Sequence, residues 1–246
     1  MSYGLLRDKT VLVTAAAGTG IGFATAQRCA EEGARVVISD IHERRLRESA
    51  EALGAPGILA NVTAEDDVQR LLAEAVEIGG GRLDVLVNNA GLGGTANLVE
   101  MTDEQWSKVL DVTLNGTMRM TRAALKHMYE RGAGAIVNNA SVLGWRAQEG
   151  QAHYAAAKAG VMALTRCAAI EAAPHNVRVN AVAPSLAMHP NLSKVMTEGV
   201  LEELVTREAF GRAAEPAEVA NVIVFLASDL ASYMTGEVVS VSSQHP

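Results

Sequence analysis

Cysteine is nearly missing from these 246 residues: the two present, Cys29 and Cys167, lie far apart in helical patterns and form no Cys-x-x-Cys pair. That excludes a disulfide framework and predicts reduced thiols in a cytoplasmic protein. Aromatic side chains make up only 4% of the chain, so its core must be built from aliphatic residues and closely packed alanine. A basic excess is missing too. Lys and Arg number 21 against 28 Asp and Glu, a net charge of −7, which argues against nucleic acid or an anionic membrane as partner. No apolar run approaches the roughly eighteen residues of a membrane span, and no signal-peptide pattern is present. The six histidines are dispersed without metal-ligand spacing, so no metal is expected.

What is present is apolar content, 49% of residues, distributed along the whole length. Short apolar runs at 10–14, 35–40, 57–60, 83–88, 134–140, 177–183 and 237–241 read as strands. Between them, 23–32, 43–53, 65–78, 103–130, 151–173 and 216–228 carry helical periodicity, with Thr63 a candidate N-cap and Pro216 placed in a first turn. Strands alternating with helices, without repeats or low-complexity linkers, predict one doubly wound α/β domain over residues 1–246, Rossmann-type, with a mainly parallel seven-stranded sheet. The segment at about 186–212 holds the irregular stretch His189-Pro190-Asn191 and then a mixed helical segment.

Between the first strand and first helix stands Gly18-Thr19-Gly20-Ile21-Gly22. Glycines after a strand and before a helix let a backbone approach a pyrophosphate, and the helix N-terminus offers it free N–H groups. Twenty residues after Gly20, the second strand ends in Asp40. An acid there accepts hydrogen bonds from ribose hydroxyls and repels a 2′-phosphate, so NAD is expected, with NADP less favoured. Arg44 and Arg45 follow, either on the outer face of the next helix or near enough to meet a phosphate.

The stretch that joins these parts to chemistry runs from Ser141 to Lys158. On a helix, Tyr154 and Lys158 stand at i and i+4, on one face. An ammonium near a phenol favours the phenolate and brings the tyrosine toward acid–base work. Ser141, thirteen residues earlier, can bond the same substrate oxygen. His153 precedes the tyrosine within reach of a cleft, but a surface role is the favoured expectation.

Together the glycine loop, Ser141, and Tyr154-Ala155-Ala156-Ala157-Lys158 resemble the short-chain dehydrogenase/reductase family, from about Lys9 to Val241. The resemblance implies that Ser141, Tyr154 and Lys158 are catalytic, and that Tyr154 and Lys158 also contact the cofactor. It further implies that Asn61 and Val62 meet the adenine, that Asn89, Ala90 and Gly91 line the ribose, and that Pro184 and the Leu186 backbone face the nicotinamide. The family's catalytic Asn falls on Thr113, whose hydroxyl or the nearby Asn115 would hold the relay water. The region of about 186–212 corresponds to the family's substrate loop.

Similarity is greatest to 3-oxoacyl thioester reductases and to actinobacterial members that break down steroid rings. The loop and the Ser243-Gln244-His245-Pro246 ending carry the latter likeness. The implied activity is interconversion of a secondary alcohol and a ketone on a small-molecule or acyl-CoA substrate, by a homotetramer or homodimer. The alternatives are an NADP-linked 3-oxoacyl-[acyl-carrier-protein] reductase and a nucleotide-binding protein with weak catalysis.

Overall fold

The computed structural model describes residues 2–188 and 198–243. His189-Pro190-Asn191 and the Gln244-His245-Pro246 end lie outside them.

Seven strands form one sheet in the order β3-β2-β1-β4-β5-β6-β7. They are β1 Thr10–Thr14, β2 Arg35–Asp40, β3 Gly57–Leu59, β4 Val85–Asn88, β5 Gly134–Asn139, β6 Val177–Pro184 and β7 Val238–Val241. Every pairing is parallel. The helices are α1 Ile21–Glu31, α2 Glu43–Leu53, α3 Glu65–Ile78, α4 Asp103–Leu110, α5 Gly116–Arg131, α6 Ala152–Ala172, α7 Glu198–Thr206 and α8 Pro216–Ala227.

The strands read as unbroken apolar runs because both faces of the sheet are covered. Successive side chains alternate between them. Leu12, Leu86 and Ile136 enter one core with residues of α3, α5 and α6. Val11, Val13, Val85, Val87, Ala135 and Val137 enter the other, with residues of α1, α2 and α8. The alanine and glycine of α6 permit close approach: a Cβ on Gly160 would stand 2.8 Å from Leu114 Cδ2.

Strand order reverses at β1, with β2 on one side and β4 on the other. Both neighbouring connections leave from the carboxyl ends of the strands in opposite directions, and a crevice opens there.

Two expectations are corrected locally. The pattern at 103–130 is not one uniform helix. A π-helical turn, Asp111–Asn115, separates α4 from α5 and carries Thr113. Thr63 does not cap α3. Its hydroxyl donates to Asn61 Oδ1 at 2.9 Å, Ala64 occupies the cap position, and three acids fill the first turn instead. Pro216 does lie in the first turn of α8, after a capping box formed by Glu215 and Glu218.

Candidate active site

The crevice is a cleft of about 910 Å³ that gathers residues widely spaced in sequence. Gly20, Ile21, Asn89, Gly91, Ser141, Tyr154, Lys158, Pro184 and Leu186 line it, as do Arg146, Gln151, Leu204 and Arg207.

Its floor is organised by strand ends. β4 and β5 pair with Asn88 opposite Asn138, which places Asn89 beside Asn139. Asn139 Nδ2 donates to Asn89 Oδ1 at 2.9 Å, and Asn89 Nδ2 donates in turn to the carbonyls of Thr14 and Ala15. Thr14 Oγ1 accepts the N–H groups of Asn89 and Ala90. The ends of β1, β4 and β5 are thereby locked together.

Lys158 is buried on α6 and its Nζ donates to the Asn139 carbonyl. That nitrogen lies 5.5 Å from the Tyr154 ring centroid. Burial pushes the lysine down from 10.5 to about 8. Burial also raises the Tyr154 phenol above its ordinary value, partly offset by a hydrogen bond with Ser141. The expected lowering of the tyrosine by Lys158 is therefore not found. Both groups are pushed toward their neutral forms, because desolvation disfavours either charge. Ser141, at the start of the short 3-10 turn after β5, also accepts the Leu143 N–H at 3.2 Å.

Thr113 does not line the cleft. It is fully buried behind Gly91 and Leu92, where Oγ1 accepts the Leu92 N–H at 3.0 Å and donates to the Leu92 carbonyl at 3.3 Å. Asn115 turns elsewhere, to Asp111. His153 is not on the surface: it is 1% exposed and packs beneath Gly94.

The residues present fit a dinucleotide. Gly20 caps α1 without a side-chain bond, and Gly20 and Ile21 at this helix start line the cleft. A Cβ on Gly22 would stand 2.5 Å from the Ala15 carbonyl and from Asn89 Nδ2, so only glycine permits this tight turn. Gly18 has a φ of 108°, and its N–H is committed to Ser49 Oγ at 3.0 Å. Thr19 follows it in the same turn.

Asp40, at the tip of β2, is 7% exposed and accepts the N–H groups of Ala17 at 3.2 Å and His42 at 2.9 Å. Burial raises its carboxyl, while the Ala17 bond and then Arg45 draw it back. Arg44 pairs outward with Glu48. Asn61 folds its own Oδ1 onto Thr63, beside Val62. The Leu186 N–H faces Glu208 Oε1 at 3.4 Å and its carbonyl accepts the Ala214 N–H, so both backbone groups have protein partners.

Asn139, Ser49, Gln151 and Glu208 were not singled out in the sequence. Only Asn139 left a signal: twin asparagines end two neighbouring strands, Asn88-Asn89 and Asn138-Asn139. The others depend on contacts between distant segments. Among the described residues no three His, Cys, Asp or Glu side chains gather as a metal centre requires, and no helix is long and apolar enough to cross a membrane.

Residues 15–243 match a family model described as enoyl-(acyl carrier protein) reductase. A Mycobacterium tuberculosis protein is 59% identical over 99% of this chain and 95% of its own. It is named (5R,7aS)-5-hydroxy-7a-methyl-1-oxo-2,3,5,6,7,7a-hexahydro-1H-indene-carboxyl-CoA reductase. A 3-oxoacyl-[acyl-carrier-protein] reductase of Thermotoga maritima is 42% identical over 96% of this chain and 97% of its own. Among solved structures, a short chain dehydrogenase from Mycobacterium smegmatis superposes with a TM-score of 0.89 at 57% identity, covering 100% of this chain and 96% of that one.

Proposed function

The chain belongs to the short-chain dehydrogenase/reductase family, and on that footing we propose that it is an NAD(H)-dependent enzyme interconverting a secondary alcohol and a ketone on a bulky alicyclic hydroxyacyl-CoA. The observation that carries this reading is the convergence of Ser141, Tyr154 and Lys158 on one wall of the cleft. When bound, the nicotinamide supplies or accepts the hydride.

The chain's own residues handle the proton and the positioning. Ser141 and Tyr154 hold the substrate oxygen between their hydroxyls. Tyr154 gives its proton to that oxygen as the ketone is reduced, and takes one from the alcohol in the reverse direction. Lys158, steered by the Asn139 carbonyl and standing 5.5 Å from the Tyr154 ring centroid, meets the nicotinamide ribose. Thr113 acts at one remove, by holding Leu92, which lines the cleft beside Gly91.

NAD preference rests on Asp40. Its carboxylate stands at the β2 tip where a 2′-phosphate would have to enter, and the Arg45 charge favours its ionised form. The substrate class rests on the indene-carboxyl-CoA reductase relative and on a cleft with room for a bicyclic acyl group. Self-association into a homodimer or homotetramer belongs to the same proposal. It is supported by the outer face of α6, where Ile170 is 77% exposed.

The test is turnover of a bicyclic keto-acyl-CoA, an acyl-carrier-protein thioester and simple cyclic ketones, each with NADH and with NADPH. Preference for the bicyclic CoA ester with NADH is expected. Preference for the carrier-protein thioester with NADPH would favour a carrier-protein reductase, and tight nucleotide binding without turnover would favour a binding protein.

A further inference from the structure

Glu208 is a carboxylate at 3% exposure just after α7, and burying such a group is costly unless donors surround it. Its oxygens reach two distant segments. Oε1 faces the Leu186 N–H at 3.4 Å, and Oε2 accepts the Ser243 hydroxyl at 2.8 Å. The Ala209 N–H reinforces the second tie by donating to the Ser243 carbonyl at 3.1 Å. Leu186 lies on the cleft wall, as do Leu204 and Arg207 from the turn that ends at Glu208. Next to Leu186, the Met188 N–H and the Leu186 carbonyl pair with Ala214, both at 2.8 Å, so this wall is a short strip laid against the returning chain.

We infer that Glu208 is a positioning residue for the cleft, a pin that holds the Leu186 wall, the Arg207 turn and the C-terminal segment in one arrangement. Pro184, which ends β6, and Leu186 line the same cleft as Tyr154 and Lys158. Any looseness there widens the space in which cofactor and substrate must be held together. A wall fixed before binding spends no affinity on being ordered when the ligand arrives. The carboxylate acts through Leu186 and Ser243 and touches neither reactant. This inference rests on the nicotinamide-cofactor reading of the cleft.

The test measures NADH dissociation constants by fluorescence, thermal midpoints, and kcat and KM separately. Glu208→Leu keeps volume but removes both acceptors; its NADH dissociation constant and its substrate KM are expected to rise on the order of tenfold, as for one buried donor left unpaired, with kcat less affected. Glu208→Gln keeps a carbonyl for the Leu186 N–H and an amide for Ser243, and is expected to stay within about threefold of wild type. Ser243→Ala, which breaks one arm, should fall between.

Glu32 provides the stability control. It is a fully buried acid that accepts the N–H groups of Tyr3 and Leu5 at 2.9 Å outside the cleft. Glu32→Gln should lower the thermal midpoint without changing NADH affinity. A folded Glu208→Leu variant with wild-type affinity and KM would overturn the inference. So would a Glu32→Gln variant that loses as much affinity, since the effect would then be general destabilisation. Wild-type protein that binds neither NADH nor NADPH would overturn the cofactor reading and this inference with it.

Discussion

Lys158→Met should destroy activity and yet change stability in a pH-dependent way whose size follows from burial. The wild-type ammonium is 3% exposed, and burial brings its pKa from 10.5 to about 8. At about 1.4 kcal/mol per pKa unit, the folded protein carries a cost of about 3 kcal/mol for keeping that charge at neutral pH. A neutral amine still donates to the Asn139 carbonyl, so this bond largely cancels between the two protonation states.

The sign is fixed by proton counting. Below about pH 8 the lysine is charged in both folded and unfolded chains, and the full cost is present. Between about pH 8 and 10.5 the unfolded chain binds more protons than the folded one, so wild-type stability from this group rises with pH. The Met variant lacks the group, and titrations elsewhere cancel in the difference between the proteins. Any stability advantage of the variant should therefore shrink by about 2 kcal/mol between about pH 7 and 9.5. That range stays below the Tyr154 phenol, which burial holds above its ordinary 10.0. Urea unfolding of both cofactor-free proteins across this range measures the difference directly. A flat difference, within about 0.5 kcal/mol, would refute the claim that the folded protein desolvates this lysine.

Tyr154→Phe should lower kcat by about 10²–10⁴-fold with NADH affinity unchanged, and a variant keeping a tenth of wild-type kcat would displace the tyrosine from its role. Thr113→Val removes both hydrogen bonds to Leu92 and should lower kcat/KM on the order of tenfold, checked by steady-state kinetics; wild-type values across pH would leave the hydroxyl without a part in the site. Wild type should favour NAD over NADP by roughly a hundredfold in kcat/KM, and Asp40→Ser should shrink that ratio chiefly by improving NADP. Equal use of both cofactors by the wild type would remove Asp40 from the selectivity argument.

The strands and most helices were legible because each carries its own period. A buried parallel strand is a run of Val, Leu and Ile, and a helix on the sheet alternates on a longer period, whatever it finally touches. The seven expected strands accordingly appear, with ends displaced by a residue or two, and they form one sheet. Ser141, Tyr154 and Lys158 were legible for a related reason: their separation along one strand-to-helix unit is itself the geometry. The one local failure in the long helix is the π-helical turn at Asp111–Asn115, since one extra residue in a turn leaves the apolar pattern nearly unchanged.

Only the tertiary structure decided what depends on a second segment. Desolvation, not a neighbouring charge, governs Tyr154 and Lys158, because their environment comes from β4, β5 and the loops above them. Thr113 meets Leu92 across 21 residues, and His153 is buried by a glycine loop from another connection. Glu208 is one more acid in a run of mixed residues until β6 and the C-terminal segment close around it. Local periodicity follows from backbone geometry and side-chain polarity within a few residues. Burial and hydrogen-bond partnership are set by segments that meet only after the sheet has formed, and a linear pattern carries no record of them.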